Sequence, residues 1–192
     1  MRIAAVALTL VLAACASSFL MHPPGDSSIQ GGVYVNRTYD LRVQFPKQEG
    51  WWFLTRARDI SKCGYRSAIL CAGNPARLVN LVVTLEDGGY EMENEDYQAS
   101  IENQVREGWG DKLEASSVEA VRTQRGEAYV WTYTLDGDVL TQAFLKRGTQ
   151  NMRLIFIVPE NAYERRRDEI GAIIRSIELE PQPGSDPVAR AL

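Results

Sequence analysis

Apolar residues alternate with polar ones along much of the chain, which is the pattern of strands that bury one face. Leu41, Val43 and Phe45 alternate with polar residues until Pro46 ends the run, which predicts a strand over 40–45. Further strands are predicted at 51–55, 78–86, 114–121, 128–135, 139–146 and 152–158. Asp136-Gly137 is a strong hairpin turn between two of them, so neighbouring strands are expected to pair antiparallel.

Two segments have a helical period instead. Tyr97, Ile101 and Val105 are four residues apart, which predicts an amphipathic helix over 95–107, with Asn94 as its cap and Gly108 at its end. A last helix is predicted from Asn161, and its apolar face consists of Tyr163, Ile170, Ile173, Ile174 and Ile177. Hairpins rather than crossover helices join the strands, so the sequence predicts an α+β fold, an antiparallel β-sheet with packed helices.

The N-terminus has the features of an export signal. One charge, Arg2, precedes an apolar stretch from Ile3 to Ala14, which is too short to cross a bilayer as a helix and is typical of a secretory signal peptide. Leu12-Ala13-Ala14-Cys15 resembles the lipobox of bacterial lipoprotein precursors. The resemblance implies cleavage before Cys15 and acylation of Cys15 with chains such as palmitate. The alternative is an ordinary signal peptide in which Cys15 is incidental.

The lipobox predicts both the location and the domain limits. Two or more acyl chains hold a protein stably on a membrane, so the chain is expected to have the lipid membrane as a partner through Cys15. Ala16 follows the cysteine, and by resemblance to Gram-negative lipoproteins this implies the outer membrane, facing the periplasm; a Gram-positive surface remains an alternative. The predicted parts are a signal peptide (1–14), a lipidated flexible tether (15–32), one folded domain (33–180) and a flexible tail (181–192).

With Cys15 assigned to lipid, Cys63 and Cys71 remain as a pair. In an exported chain such a pair is expected to form a disulfide. The bond closes the short loop GYRSAIL, which contributes about 2 to 3 kcal/mol in the chain-entropy model. A zinc site is the alternative, but it lacks further ligands nearby. A redox pair is disfavoured because the spacing is far from C-x-x-C.

Charge and motifs exclude several functions. The formal net charge is −4, and removal of Arg2 with the signal peptide makes it −5, so nucleic acid is not an expected partner. The only histidine, His22, lies in the predicted tether, which argues against Ser-His-Asp and Cys-His catalysis and against histidine metal clusters. No G-x-S-x-G, H-E-x-x-H or P-loop motif is present. We therefore predict no catalytic residues and no cofactor.

One acidic segment is a weak metal candidate. Glu91, Glu93 and Glu95 alternate along the run from Glu86 to Asp96, and converging carboxylates are the ligands that calcium prefers. The run lacks the spacing of an EF-hand loop. The preferred interpretation is a solvated loop whose acids favour the start of the following helix.

Three aromatic residues share one strand face. Tyr129, Trp131 and Tyr133 recur at period two, and such residues usually belong to the core. The alternative is a surface for a partner, since Tyr and Trp are favoured in interfaces.

The two ends of the domain resemble those of PsbP-like domains. At the start the similar residues are Tyr34, Asn36, Tyr39, Leu41 to Pro46, and Gly50-Trp51; at the end they are Met152 to Val158, Tyr163, and Ile174 to Ile177. The resemblance implies a PsbP-like α/β sandwich over about residues 33 to 180. Members of that family include an extrinsic subunit of photosystem II, a nuclear Ran-binding protein and bacterial lipoproteins. They serve mainly in binding or assembly and share no catalytic residues to carry over.

These observations favour a non-enzymatic lipoprotein that binds an envelope protein or supports envelope assembly. The alternatives are a lipoprotein that binds a small ligand or calcium and, third, a hydrolase that uses paired acids.

Overall fold

The computed structural model describes residues 24–46, 50–65, 67–87 and 92–180. Within these ranges strands predominate over helices. The strands are β1 (Ser27–Gln30), β2 (Val33–Asn36), β3 (Leu41–Gln44), β4 (Trp52–Leu54), β5 (Ala68–Asn74), β6 (Val79–Asp87), β7 (Leu113–Thr123), β8 (Gly126–Leu135), β9 (Asp138–Arg147), β10 (Gln150–Pro159) and β11 (Glu178–Leu179). The helices are α1 (Ala57–Ile60), α2 (Asn94–Trp109), α3 (Glu160–Tyr163) and α4 (Arg167–Arg175).

The strands form two antiparallel sheets. A small sheet has the order β1-β2-β3-β11, and a large sheet has the order β4-β5-β6-β10-β9-β8-β7. Short hairpins join β7 to β8, β8 to β9 and β9 to β10. The predicted antiparallel organisation with packed helices is therefore confirmed.

The main core lies between one face of the large sheet, the small sheet and α4. Ile170, Ile173 and Ile174 form the buried side of α4, as the apolar face in the sequence predicts. They pack in one cluster with Leu41 and Val43 of the small sheet and with residues of the large sheet such as Val83, Leu154 and Phe156.

The other face of the large sheet is covered by α2. Tyr97, Ile101 and Val105 are buried on this helix and pack against a cluster that includes Trp131 and Phe144. The prediction of a helix over 95–107 agrees with the structure. The predicted ends of the helix differ from the structure. Asn94 is the first helical residue rather than the cap, Glu93 precedes it, and no side chain caps the helix. At the other end the helix continues past Gly108 to Trp109.

Beside α2, the same face is covered by a short segment that contains Cys63. It contains α1 and a 3₁₀ turn, Ser61–Cys63, and Ile60 packs there with Cys71 and Val82. The neighbouring strand β5 was not predicted, since every one of its residues is buried. A strand buried on both faces has no polar alternation to identify it.

Two predictions near the ends of the domain differ from the structure. Ser27–Gln30, assigned to the tether, is strand β1 and pairs with β2. The predicted last helix is two short helices, α3 and α4, and Ile177 follows them. The predicted signal peptide, Cys15 and the tail from residue 181 lie outside the described residues.

Candidate functional site

Strand β7 is a free edge of the large sheet. It ends the strand order, and its ladder joins it to β8 alone among the described strands. Residues 114–120 are exposed, and Val118 has 40% of its surface accessible. Sheet edges present unpaired N–H and C=O groups and invite pairing with another chain. Eleven residues form β7, which makes it a long edge.

The β8–β9 hairpin determines which backbone groups of β8 point toward β7. Asp136 and Gly137 have φ of 53° and 86°, which is the geometry of a type I′ turn and makes Leu135 and Asp138 a hydrogen-bonded pair. Hydrogen-bonded pairs alternate along an antiparallel ladder. Residues 133, 131 and 129 therefore bond to β9, and residues 132, 130 and 128 bond to β7.

The same alternation identifies the free groups of β7. Glu119 lies opposite Val130, so its N–H and C=O bond to β8. Val118 and Ala120, on either side of it, direct their N–H and C=O groups away from the sheet. A bulge between Glu114 and Ser117 interrupts the ladder before them, and bulges commonly end or guard an edge. The accessible edge is therefore centred on Val118 to Ala120.

The opposite edge of the large sheet is a poorer site for pairing with another chain. Strand β4 has three residues, and the indole of Trp52 lies over Gly73 of the next strand. A methyl group on Gly73 would be 2.5 Å from Cζ2 of Trp52, so the glycine is required for this packing. The long edge at β7 is the better candidate for a contact with another chain.

A buried ion pair lies beneath α2, beside the aromatic cluster. Arg153 Nη2 donates to Glu86 Oε1 at 3.0 Å, and the two side chains are only 13% and 16% exposed. The Tyr97 hydroxyl donates to Glu86 Oε2 at 2.5 Å. The carboxylate of Glu86 thus joins a strand residue to the helix that covers it.

Amide and tyrosine groups extend this network. Arg153 Nη1 donates to Gln142 Oε1 at 3.4 Å, and Gln142 Nε2 donates to the Tyr133 hydroxyl at 2.7 Å. Burial raises the pKa of Tyr97 and of Tyr133. Burial lowers the pKa of Arg153, but Glu86 and the nearby tyrosines outweigh it and hold that pKa above its ordinary value. At neutral pH the network therefore consists of one ion pair and neutral tyrosines.

Two buried polar atoms of the network have no hydrogen-bond partner. They are Arg153 Nε and Thr84 Oγ1, and the two residues lie directly opposite each other across β10 and β6. Buried polar atoms are rarely unpaired, so these two atoms mark an unsatisfied point beside the Arg153–Glu86 ion pair.

The predicted aromatic residues lie in the hydrophobic cluster between α2 and the large sheet. Trp131 is fully buried and Tyr133 is 2% exposed, and their rings stack with centroids 3.9 Å apart. The Trp131 indole donates to Ser116 Oγ at 2.8 Å. Tyr129 is partly buried; partial desolvation and a hydrogen bond to the Glu95 carboxylate raise its pKa. The partner-surface interpretation does not fit Trp131 and Tyr133, because α2 covers them, whereas the core interpretation does.

The predicted acidic residues are separated by their partners. Glu93 forms an ion pair with Lys146, and Glu95 accepts a hydrogen bond from Tyr129. Glu91 lies outside the described residues. No group of three metal-ligating side chains converges in the part of the chain that the structure describes.

The two predicted cysteine roles have different outcomes. Cys63 and Cys71 form a disulfide, with Cα atoms 6.6 Å apart. Tyr65, in the loop between them, packs against two hydrophobic clusters. One lies beneath α2, and the other contains Ile60, Cys71 and Val82. Cys15 lies outside the described residues, so its acylation remains a prediction. No helix in the described ranges has the length and apolar character needed to cross a membrane.

Comparison with known proteins identifies the fold. No protein-family model and no curated protein matches the chain. Among solved structures, cyanobacterial PsbP (CyanoP) from Synechocystis sp. PCC 6803 is similar with a TM-score of 0.59 at 12% identity, over 80% of this chain and 98% of that one. The chain has a PsbP-like fold.

Two other solved structures are similar at lower scores. PA94 from Pseudomonas aeruginosa, a protein of unknown function, has a TM-score of 0.45 at 12% identity, over 82% of this chain and 100% of that one. A protein from Bacteroides thetaiotaomicron has a TM-score of 0.41 at 13% identity, over 83% of this chain and 50% of that one. The identification of a PsbP-like fold rests on CyanoP.

Two features of this PsbP-like fold were not predicted from the sequence: the edge position of β7 and the ion pair between Arg153 and Glu86. The strand at 114–121 was predicted, but its place at the sheet edge follows from the strand order and not from its own residues. Arg153 is a charged residue inside an apolar strand, which is a signal of a buried partner. The partner, Glu86, is 67 positions away, so one sequence does not identify it.

Proposed function

We propose that this chain is a non-enzymatic lipoprotein of the cell envelope, anchored through acylated Cys15 on the periplasmic side of the outer membrane, whose domain binds another protein. The observation that carries the binding proposal is the exposed, long edge strand β7. Strand addition at a free edge is a recurrent mode of protein recognition. The proposal includes a PsbP-like α/β sandwich as the architecture of the domain. It also includes the binding or assembly role that the resemblance to PsbP-like domains implies.

A charged, open depression lies at the start of β7, beside the proposed binding edge. It is lined by Lys112, Glu114, Thr134, Asp136, Gly137 and Glu160. Lys112 lies 3.7 Å from Asp136 in an exposed ion pair. Polar and charged side chains of this kind commonly form the rim of a protein interface, which supports a binding role.

The anchor is tested by Cys15→Ser. The variant is expected to lose acyl labelling and to move from the membrane fraction to the soluble fraction, because without its acyl chains the protein has no stable hold on the bilayer. Metabolic labelling with a clickable fatty acid and membrane fractionation measure both effects. Cys63→Ser/Cys71→Ser is the matched control and should keep its label. Retention of both label and membrane association by Cys15→Ser would contradict the anchor.

The binding role is tested by chemical crosslinking in intact cells, followed by purification of the tagged full-length chain from membranes. A reproducible crosslinked protein is expected at a constant mass. An unrelated tagged lipoprotein, processed in parallel, removes partners that depend on the membrane alone. The protein-binding proposal fails if no specific product forms with crosslinkers of several lengths.

A further inference from the structure

We infer that the partner supplies an extended segment that pairs with β7 at Val118 and Ala120 and places a basic residue opposite Glu119. This inference rests on the proposed protein-binding function and specifies its mode. The N–H and C=O groups of Val118 and Ala120 point away from β8, so an added strand gains hydrogen bonds at two alternate positions.

The side chains of the edge determine what such a segment must carry. Val118 lies opposite Trp131 and is therefore on the α2 face of the sheet, with 40% of its surface exposed. An apolar or β-branched residue beside it would remove this surface from water. Glu119 projects from the other face, and its neighbour across the ladder is the apolar Val130 rather than a cation. Opposite charges facing each other across strands are favourable, so the complementary residue is Lys or Arg.

A second copy of the same strand is a poorer fit. An antiparallel pair of β7 strands that used both free positions would place Val118 opposite the partner copy's Ala120. Glu119 would then face its own copy directly across the ladder, and like charges in this arrangement are destabilising. The charge at the centre of the edge therefore favours a different protein.

Hydrogen exchange tests the free edge in the full-length protein, solubilised in detergent. The amides of Val118 and Ala120 should exchange at least tenfold faster than those of Glu119 and Val121, since only the latter bond to β8. Equal protection at all four positions in the free protein would show that the edge is already paired, and it would overturn the inference.

Proline substitutions test the pairing with the crosslinked partner. Val118→Pro and Ala120→Pro each remove an outward N–H, which an edge strand tolerates, and should reduce the crosslinked product at least tenfold. Val118→Thr is the matched control, because it keeps the donor and the β-branched shape, and it should retain the product. Circular dichroism of each variant verifies that the fold persists.

Charge reversal adds a variant that leaves the backbone intact. Glu119→Lys should also reduce the product, whereas Glu119→Gln should have a smaller effect. If the proline and lysine variants all retain the wild-type product, strand addition at β7 is wrong although protein binding stands. If the wild-type chain yields no product, the binding proposal fails first, so the two failures are distinguishable.

Discussion

Replacing Arg153 with methionine is expected to destabilise the domain by about 3 to 5 kcal/mol at neutral pH, the usual cost of leaving one member of a buried ion pair without its partner. The Glu86 carboxylate would then keep its hydrogen bond from Tyr97 but lose its charge partner. Urea unfolding followed by circular dichroism measures the change in the free energy of unfolding.

A double substitution distinguishes this cause from a simple loss of packing. Without Arg153, the Glu86 carboxylate stays largely buried with no cation beside it, and removal of that carboxylate as well should relieve the cost. Arg153→Met/Glu86→Leu, which removes both charges, should recover much of the loss.

A surface pair provides the control for this prediction. Arg37 and Asp26 are 3.3 Å apart with side chains 58% and 70% exposed, so Arg37→Met should change stability by less than about 1 kcal/mol. If Arg153→Met is equally mild, or if Arg153→Met/Glu86→Leu recovers none of the loss, the buried pair does not act as described.

The sequence predicts each strand of this network but not the network itself. Glu86 ends one predicted strand and Arg153 lies in another, and a strand pattern gives the face of each residue without giving its neighbour. That neighbour depends on the register of β6 with β10, which is a contact between distant parts of the chain. The structure supplies the strand order, and with it the proximity of the two charges.

Trp131→Ala is expected to destabilise the domain by about 3 to 5 kcal/mol, because truncation of a fully buried aromatic residue leaves a cavity. It also removes the stacking on Tyr133 and the hydrogen bond to Ser116. Thermal and urea unfolding measure the loss. Trp52→Ala is the matched control, since Trp52 is 40% exposed and should cost less. An unchanged stability with loss of the crosslinked partner would instead restore Trp131 as a partner surface.

The aromatic strand shows where pattern reasoning ends. Period two places Tyr129, Trp131 and Tyr133 on one face correctly, yet both faces of the sheet are covered at β8, so an aromatic face says little about exposure. Strand β1 shows a different limit, because Ser27–Gln30 has little apolar pattern to indicate a strand. Gly31 and Gly32, with φ of 56° and 78°, turn it into β2, and such a glycine pair is a known hairpin signal that the tether interpretation overlooked.

Strand β1 also limits how far the domain could lie from a membrane to which Cys15 anchored it. From Cys15, the proposed anchor, to Ser27 the chain has twelve Cα-to-Cα steps, which span at most about 40 Å when fully extended. Had the folded part begun at residue 33, six further steps would have added roughly 20 Å. With the proposed anchor at Cys15, the domain would lie within about 40 Å of the bilayer. A partner of the β7 edge would then be a membrane neighbour or a protein that approaches the lipid surface closely.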